Sequence, residues 1–299
     1  MNNHKICFVL PAKNEESTIK NVLDQVIDIS KEIQPETPKI IVVSDSTDQT
    51  NAICEKYENV ILEEGQNNGL GEAMYYGLKK ASETNSKYIC SLDSDGQVDL
   101  QEILKFFKEI EKNENDLILG SRFLERNLIK YNYKFLNNFG TKLLRFFINF
   151  KTKLNITDSH GGIRIMKSGV AKKLKMMGDH TYVQETIVDA VENGFKVKEI
   201  PSIWLERKAG LSKVVRSKIR YIINVFPILF IRCNLHKIIF YPLSAFLFFL
   251  SLIFLLFYNT VPDIVFPLLL LNFSFLLIFF GYSIEQYKNL IFYLRGLKK

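Results

Sequence analysis

The sequence predicts an α/β domain with a mostly parallel sheet, followed by two C-terminal transmembrane helices. Three observations carry this prediction. Short apolar runs alternate with amphipathic segments through the first two thirds of the chain, two uncharged runs of about 21 residues lie near its C-terminus, and basic residues flank those runs. With 299 residues and 47% hydrophobic content, the chain can also bury a substantial core.

The first part of the chain is typical of repeated strand and helix units. Five runs rich in Val, Ile and Leu fit strands that are buried on both faces, at residues 6–10, 39–43, 60–63, 88–92 and 116–120. Two apolar stripes with helical spacing lie between them, formed by Ile19, Val22, Leu23, Val26 and Ile27 and by Leu100, Ile103, Leu104, Phe107 and Ile110. Such repeats predict a mostly parallel sheet with its ligand site beyond the carboxyl ends of the strands.

The two uncharged runs, residues 238–258 and 264–284, match the length that crosses a bilayer as a helix. The alternative is a buried core helix. Only the short polar stretch 259–263 separates the runs, which favours a transmembrane hairpin.

Charge predicts the orientation of this hairpin. Eight Lys and Arg residues, and no acidic residue, lie between Arg207 and Lys237, whereas the loop between the runs carries only Asp263. The positive-inside rule therefore predicts a membrane protein whose large N-terminal domain and two termini are cytoplasmic. The net charge of +7 fits a membrane-facing basic belt, and its place beside a spanning segment argues against a nucleic-acid patch. The N-terminal apolar run is too short for a signal-peptide core, and the four cysteines lack C-x-x-C spacing.

The segment Asp93-Ser94-Asp95-Gly96-Gln97 directly follows the fourth apolar run. Two carboxylates one residue apart, on a turn that Gly96 lets bend tightly, can hold one hard divalent cation and leave coordination positions for phosphate oxygens. The alternative is an ordinary turn, since acidic residues and Gly favour turns. A metal site would suit a nucleotide-sugar diphosphate.

Three further segments follow predicted strands or precede a helix. In residues 11–16, Asn14 is a candidate helix cap, with Glu15 and Glu16 suited to the positive helix end. Asp45 could accept hydrogen bonds from a base or ribose, and Asp48 is as well explained as a helix cap. The glycines of residues 68–73 could let the backbone approach a ligand closely, or could simply punctuate a loop.

Taken in order, these segments resemble the GT-A glycosyltransferases of family 2, and within them the polyprenyl-phosphate sugar synthases such as dolichyl-phosphate mannose synthase. The resemblance covers roughly residues 6–213. It is carried by P-A-x-N-E-E at 11–16, the acidic turn at Asp45, D-x-D-x-Q at 93–97, G-S-R-F at 120–123, D-S-H-G-G-I-R at 158–164, E-I-P at 199–201 and R-K-A-G-L-S-K at 207–213.

The resemblance implies a Rossmann-like GT-A domain and a role for each matching residue. Donor-binding residues would be Pro11, Ala12, Asn14, Glu15, Asp45, Gly71, Asp93 and Ser94. The ligands of Mg²⁺ or Mn²⁺ would be Asp93, Asp95 and Gln97. Catalytic residues would be Asp95, Arg122 and Arg207. The acceptor phosphate would contact Ser121, Arg122, Lys134, Asn137 and Lys213.

The chain departs from the family pattern in three places. Ser44 replaces the first of two adjacent aspartates, and Leu70 stands where a lysine is common between the glycines. Lys134 and Asn137 stand in the region where relatives often place an Arg and a Ser. Because of these departures, the resemblance does not predict which nucleobase the donor carries. It also does not predict which residue replaces one of the expected phosphate contacts.

We therefore expect transfer of a sugar, with inversion, from a UDP- or GDP-linked donor to a polyprenyl monophosphate. A lipid monophosphate is already an anionic nucleophile, so no catalytic histidine is required, and we expect His160 to be structural. Glu185 is open as a base, an active-site wall or a solvated helix residue. The rivals are a family 2 enzyme acting on another lipid or a growing glycan, and an inactive membrane scaffold.

The expected division of the chain has four parts. They are a cytoplasmic GT-A domain (1–211), a basic amphipathic juxtamembrane helix (212–235), a transmembrane hairpin (236–284) and a cytoplasmic basic tail (285–299). The expected partners are the nucleotide sugar, the polyprenyl-phosphate lipid and the membrane, with no nucleic acid. Assembly into a homo-oligomer is left open.

Overall fold

The computed structural model describes residues 5–130, 135–206, 218–257 and 261–297. They fall into two compact units, Met1–Val225 and Phe226–Lys299. The first is a mixed α/β unit built on a seven-stranded sheet, and the second contains two long apolar helices. The predicted fold class is confirmed.

The sheet of the first unit has the order β3-β2-β1-β4-β6-β5-β7, and only β6 runs antiparallel to its neighbours. The strands are β1 (Ile6–Ala12), β2 (Lys39–Ser44), β3 (Val60–Glu64), β4 (Tyr88–Ser91), β5 (Leu117–Ser121), β6 (Arg164–Lys167) and β7 (Val197–Pro201). Every residue of β1, β4 and β5 is buried, which explains why these strands are apolar along their whole length. The carboxyl ends of β1, β2, β4 and β5 therefore meet at one edge of the sheet.

Eight helices in the described residues accompany this sheet or lead out of the unit. They are α1 (Ile19–Ser30), α2 (Thr50–Cys54), α3 (Leu70–Glu83), α4 (Ile103–Glu111, after a 3₁₀ turn at Leu100–Glu102), α5 (Phe135–Thr152), α6 (Ser168–Lys173), α7 (Tyr182–Glu192) and α8 (Lys218–Arg232). The predicted stripe of α1 is buried at Ile19, Val22 and Leu23, and that of α4 at Ile103 and Phe107.

Two strands were missing from the sequence prediction, and both have short, partly polar sequences. β6 reads Arg-Ile-Met-Lys and β7 reads Val-Lys-Glu-Ile-Pro. Because β6 is antiparallel, its first residue, Arg164, pairs with Ser91 at the carboxyl end of β4. The segment 158–163 therefore leads into the sheet at the same edge as the predicted metal turn.

The second unit contains α9 (Leu235–Phe257) and α10 (Val261–Leu297), both long and apolar enough to cross a membrane. Only 11% and 22% of the residues in their most apolar windows are buried, which does not fit the core helices of a soluble protein. The helices pack antiparallel, with the hydroxyls of Ser244 and Ser274 3.0 Å apart and the Ser251 hydroxyl donating to the Pro267 carbonyl at 2.8 Å. α10 also runs unbroken through most of the predicted tail.

Candidate active site

The segment after β4 forms the tight turn that the sequence predicts. The Gln97 backbone N–H donates to Oδ1 of Asp95 at 3.0 Å, and Gly96 has a positive φ of 70°. Residues other than Gly, Asn and Asp rarely adopt that backbone conformation, so the glycine is required for the bend. Asp93, Asp95 and Gln97 all keep partly exposed surface. The turn therefore presents oxygen ligands beyond the end of the strand.

Asp93 is held from the side by α7. The hydroxyl of Tyr182 lies 3.3 Å from Oδ1 of Asp93, and a Cβ on Gly162 would stand 3.2 Å from Oδ2. Burial, together with the nearby charges of Asp93 and Asp95, raises the pKa of Tyr182 well above its ordinary value. The phenol therefore stays protonated and donates to the carboxylate.

These oxygen donors fit a hard divalent cation. Magnesium is commonly held by one or two carboxylates together with substrate phosphates and water. Within the described residues, no group of three or more His, Cys, Asp or Glu side chains could hold a metal by itself. A cation at Asp93, Asp95 and Gln97 would accordingly draw its remaining ligands from water and from a bound diphosphate.

Beside this turn, the loops after β1 and β2 are linked to each other. The Asn14 backbone N–H donates to the Ser46 hydroxyl at 2.9 Å, and Oδ1 of Asn14 accepts from the Thr47 N–H at 2.7 Å. Asn14 has a positive φ and precedes the start of α1 by five residues, so it joins loops rather than capping the helix. The interpretation of Asn14 as a helix cap was wrong.

The other residues expected to bind the donor nucleoside are also tied into these loops. Oδ1 of Asp45 accepts from the Asn67 N–H at 2.9 Å, and Asp48 accepts from the Thr50 N–H at the start of α2. The Glu15 carboxylate accepts a hydrogen bond from the Thr18 hydroxyl at 3.2 Å. Asp45 and Asp48 both keep part of their surface exposed, and the N-cap position of α2 is Gln49, so Asp48 lies one residue before it.

Ser44, where the family pattern has an aspartate, is buried at the end of β2. Its hydroxyl contacts Oδ1 of Asn51 at 2.5 Å and the Ser46 hydroxyl at 2.9 Å. A second carboxylate here would face the Asn51 carbonyl oxygen in place of a hydroxyl donor. Ser44 thus fits its neighbours as a small donor.

Ser94 joins the turn at 93–97 to the first strand. Its hydroxyl donates to the Pro11 carbonyl at 2.7 Å, and its own carbonyl accepts from the Thr18 hydroxyl at 3.0 Å. Ser94 is buried, as is Ala12 at the end of β1. Its side chain therefore positions the turn, and a donor contact by Ser94 stays a prediction.

Gly71 packs against another loop of the same unit. Its N–H donates to the Asp179 carbonyl at 2.6 Å, and a Cβ would stand 2.6 Å from that oxygen. The loop is held in turn by Glu185, whose carboxylate accepts from the Met177 and Gly178 N–H groups at 2.6 and 2.8 Å. Glu185 is fully buried, so the interpretation as a solvated helix residue was wrong.

At the end of β5 the structure buries an ion pair. The Arg122 guanidinium donates through Nε and Nη2 to the two Asp158 oxygens at 2.6 and 2.9 Å and lies 4.4 Å from the Trp204 ring. Burial alone would raise the pKa of Asp158, but Arg122 holds it below its ordinary value. Glu199 fixes the same segment by accepting from the Asp158 N–H at 2.8 Å.

Ser121 and Arg122 are both almost fully buried, and the Ser121 hydroxyl lies 2.6 Å from that of Thr157. Their contact with an acceptor phosphate stays a prediction. Lys134, Arg207 and Lys213 lie outside the described residues, and Asn137 lies in α5.

The glycines near this ion pair are explained by close backbone packing. A Cβ on Gly161 would lie 1.8 Å from the Gly120 carbonyl oxygen, and Gly120 donates its N–H to the Ile163 carbonyl at 3.0 Å. The loop before β6 thus lies directly against the end of β5. This contact places Gly162 next to Asp93.

The sequence model of Glycosyl transferase family 2 matches residues 7–175, more than half of the chain. The chain belongs to glycosyltransferase family 2. The matched region contains the turn at 93–97, the linked loops after β1 and β2 and the buried ion pair of this family 2 glycosyltransferase.

Several relatives align over most of this family 2 glycosyltransferase. A protein of Methanocaldococcus jannaschii without a described function is 30% identical and covers 77% of this chain and 91% of its own. The UDP-N-acetylglucosamine–dolichyl-phosphate N-acetylglucosaminyltransferase of Methanococcus voltae is 27% identical and covers 66% and 84%. The polyprenol monophosphomannose synthase of Mycolicibacterium smegmatis is 22% identical and covers 71% and 82%. The resemblance to polyprenyl-phosphate sugar synthases is confirmed.

Solved structures support the fold. The glucosyl-3-phosphoglycerate synthase of Mycobacterium tuberculosis, in complex with Mn²⁺, UDP and phosphoglyceric acid, superposes with a TM-score of 0.57 at 17% identity. The match covers 77% of this glycosyltransferase and 78% of that chain.

The sequence did not identify several residues that contact the candidate site residues and fix their positions. Tyr182 and Trp204 were not among the candidates, and Asp158, Arg164 and Glu199 were quoted only as parts of motifs. Trp204 is the single tryptophan of the chain, a signal that could have drawn attention to it. No sequence pattern predicts that Tyr182, which lies 89 residues beyond Asp93 in the chain, contacts the Asp93 carboxylate.

Proposed function

We propose that this glycosyltransferase transfers a sugar, with inversion, from a UDP- or GDP-linked donor to a polyprenyl monophosphate. The observation that carries the proposal is the turn at Asp93 and Asp95, whose carboxylates stay partly exposed at the carboxyl edge of the sheet. Ligands of open α/β sheets bind at this edge. The names of the Methanococcus and Mycolicibacterium relatives support the polyprenyl-phosphate acceptor.

Mg²⁺ or Mn²⁺ would be held by Asp93, Asp95 and Gln97 and would stabilise the negative charge that builds up on the leaving diphosphate. Tyr182 orients Asp93 through its hydroxyl, and the Gln97 N–H orients Asp95. The Mn²⁺ and UDP in the mycobacterial neighbour's structure are consistent with this assignment.

The donor nucleoside would lie against the linked loops after β1 and β2. Pro11, Ala12, Asn14 and Glu15 would form one side, where Asn14 and Glu15 keep exposed surface and Pro11 and Ala12 are buried. Asp45 would offer its partly exposed carboxylate on the other side. Carboxylates accept hydrogen bonds from base N–H groups and ribose hydroxyls. These loops would hold the nucleoside of the donor at this edge of the sheet.

The acceptor phosphate supplies its own negative charge, so the reaction depends on positioning and leaving-group stabilisation more than on a strong base. His160 is unsuited to proton transfer at neutral pH, because burial and then the charge of Arg122 lower its pKa to about 4. Arg122 would act as a positioning group through Asp158, and Arg207 and Lys213 would supply positive charge near the phosphates.

A membrane-anchored catalytic unit suits a lipid acceptor. The two apolar helices would cross the bilayer as a hairpin, with the catalytic unit and both termini in the cytoplasm, as the basic flanks favour. The donor would then be drawn from the cytoplasmic side.

The test uses the full chain, purified in detergent, with a panel of UDP- and GDP-sugars, polyprenyl phosphate or diacylglycerol as the acceptor, and Mg²⁺ or Mn²⁺. We expect lipid-linked sugar from at least one donor, and a loss of about 10³-fold or more in Asp95→Ala, since removal of a metal ligand costs several kcal/mol of transition-state stabilisation. Thin-layer chromatography of the lipid product reports both. No transfer from any donor, or transfer to diacylglycerol alone, would contradict the proposal.

A further inference from the structure

Arg164 is the first residue of β6 and lies close to the turn at 93–97. Because β6 runs antiparallel to β4, Arg164 stands opposite Ser91, which precedes Asp93 by two residues. Its side chain is only 1% exposed and is among the largest fully buried side chains of the described residues. Such a side chain can affect the site only through the groups that it contacts.

The guanidinium of Arg164 joins two segments of the chain through their backbone. Nη1 donates to the Val183 carbonyl, in the first turn of α7, at 2.6 Å, and Nε donates to the Gly161 carbonyl at 3.3 Å. The guanidinium carbon also lies 5.8 Å from the centre of the Tyr182 ring, within the range of a cation–π contact. One buried side chain thus connects the start of α7 to the loop that precedes β6.

Both of these segments contact the Asp93 carboxylate. Tyr182, the first residue of α7, donates its hydroxyl to Oδ1 of Asp93 at 3.3 Å. Gly162, in the loop before β6, comes so close that a Cβ on it would stand 3.2 Å from Oδ2. In each segment, the residue next to the one that meets Asp93 supplies a carbonyl to Arg164.

Packing alone does not explain an arginine at this position. Within the described residues, its hydrogen bonds go to carbonyl oxygens rather than to a carboxylate, and Nη2 has no hydrogen-bond partner. Burial lowers the pKa of Arg164, whereas Tyr182, Asp158 and Asp93 act in the opposite direction. A buried charge without a counter-charge in contact is costly, and an apolar side chain of similar volume would avoid that cost.

We propose that Arg164 is a positioning residue for the metal site: by holding the two carbonyls, it fixes α7 and the loop before β6 against the two oxygens of Asp93. A ligand that is already held in its binding orientation loses less freedom when it takes up a cation. The planar guanidinium suits this role, because its donors point in fixed directions toward two separate acceptors. This inference rests on the metal site proposed above, and it adds a residue that acts on that site through its neighbours.

The test measures the Mn²⁺ affinity of the full chain in detergent by electron paramagnetic resonance, at a temperature where circular dichroism shows each variant to be folded. Arg164→Lys keeps a positive charge but removes the planar fork, so it separates positioning from repulsion between the guanidinium and the cation. The same substitution is also made in a Tyr182→Phe background. Ile110→Val, a change in the core near the end of α4, is the control for lost packing.

We expect Arg164→Lys to weaken Mn²⁺ binding about threefold, which is less than the roughly 10- to 100-fold loss typical of removing a direct partner of a metal ligand. In the Tyr182→Phe background the same substitution should cost less than about twofold, because the hydroxyl through which Arg164 acts is already absent. Ile110→Val should lower the melting temperature and leave Mn²⁺ binding unchanged.

Wild-type Mn²⁺ affinity in Arg164→Lys, or an equal loss with and without the Tyr182 hydroxyl, would overturn the positioning role. If Arg164→Lys does not fold, Arg164→Gln decides the question. Removing a positive charge near Asp93 by itself favours a cation, so weaker Mn²⁺ binding in Arg164→Gln would support the role, and equal or tighter binding would overturn it. A wild type that binds no Mn²⁺ would overturn the metal site and this inference together, whereas the other failures leave the metal site intact.

Discussion

After β2 and β4, the carboxylates of Asp45, Asp93 and Asp95 stay partly exposed, whereas after β5 and before β6 the charges of Arg122 and Asp158 are buried against each other. Both regions lie on the same edge of one sheet. The first leaves oxygen atoms accessible for a ligand, and the second satisfies its charges within the protein.

This difference separates residues that would touch a substrate from residues that hold them in place. Loss of a carboxylate in the first region should affect ligand binding more than stability. Loss of a charge in the second region should affect stability first.

Asp158→Asn should destabilise the catalytic unit by about 3–5 kcal/mol, because it leaves the Arg122 guanidinium buried without its counter-charge. The fluorescence of Trp204, the single tryptophan, follows unfolding of this unit. The matched control is Asp28→Asn, which removes the exposed Lys31 pair and should cost less than about 1 kcal/mol. Equal costs would contradict a structural role for the buried pair.

Gly161→Ala should destabilise the unit by about 1–3 kcal/mol or more, because the new Cβ would lie 1.8 Å from the Gly120 carbonyl oxygen. Gly140→Ala, in α5, meets no atom within 4 Å and should be neutral or slightly stabilising. Thermal unfolding followed at Trp204 compares the two variants. The contact between these two loops would be wrong if both alanines were tolerated equally.

Below neutral pH, the wild type should lose stability through His160. Burial, and then the Arg122 charge, lower the pKa of His160 from 6.5 to about 4, so the unfolded chain takes up a proton at a higher pH than the folded one. The stabilisation is complete above pH 6.5 and declines as the pH falls toward 4. His160→Gln should lower the difference in melting temperature between pH 7 and pH 5 by a few degrees. An unchanged difference would contradict the lowered pKa.

Tyr182→Phe should weaken Mn²⁺ binding about two- to tenfold, since it removes one hydrogen bond to Asp93 worth about 0.5–1.5 kcal/mol. Tyr76→Phe serves as the control, because it removes a similar hydrogen bond, to Glu63, which is not part of the turn. Mn²⁺ titration followed by electron paramagnetic resonance measures both. An equal effect of the two variants would mean that Tyr182 does not orient the metal turn.

The sequence predicted the first region better than the second. The metal turn follows a strand whose residues are all buried, and its residues are neighbours in the chain, so local pattern is enough to find it. Asp158 lies 36 residues beyond Arg122, and β6, which brings the two segments together, has a short sequence with charged ends. Long-range contacts between short polar segments leave no periodic signal.

The hairpin shows the same contrast between local patterns, which the sequence reveals, and long-range contacts, which it does not. Two uncharged runs predict the length of α9 and most of α10 directly, because bilayer thickness sets that length. The convergence of His236 and Lys288 on Glu285 depends on the register between the helices, which hydropathy does not reveal.

The central claim is that Asp93 and Asp95 hold a divalent cation together with the donor diphosphate. Its most direct test is calorimetric titration of the full chain with UDP and with GDP, with and without Mn²⁺, in the wild type and in Asp95→Asn, a variant that should leave the melting temperature nearly unchanged. We predict that one nucleotide binds the wild type at least tenfold more tightly with Mn²⁺ and that Asp95→Asn abolishes this gain. Nucleotide binding that is independent of Mn²⁺, or a gain that survives in Asp95→Asn, would contradict the claim.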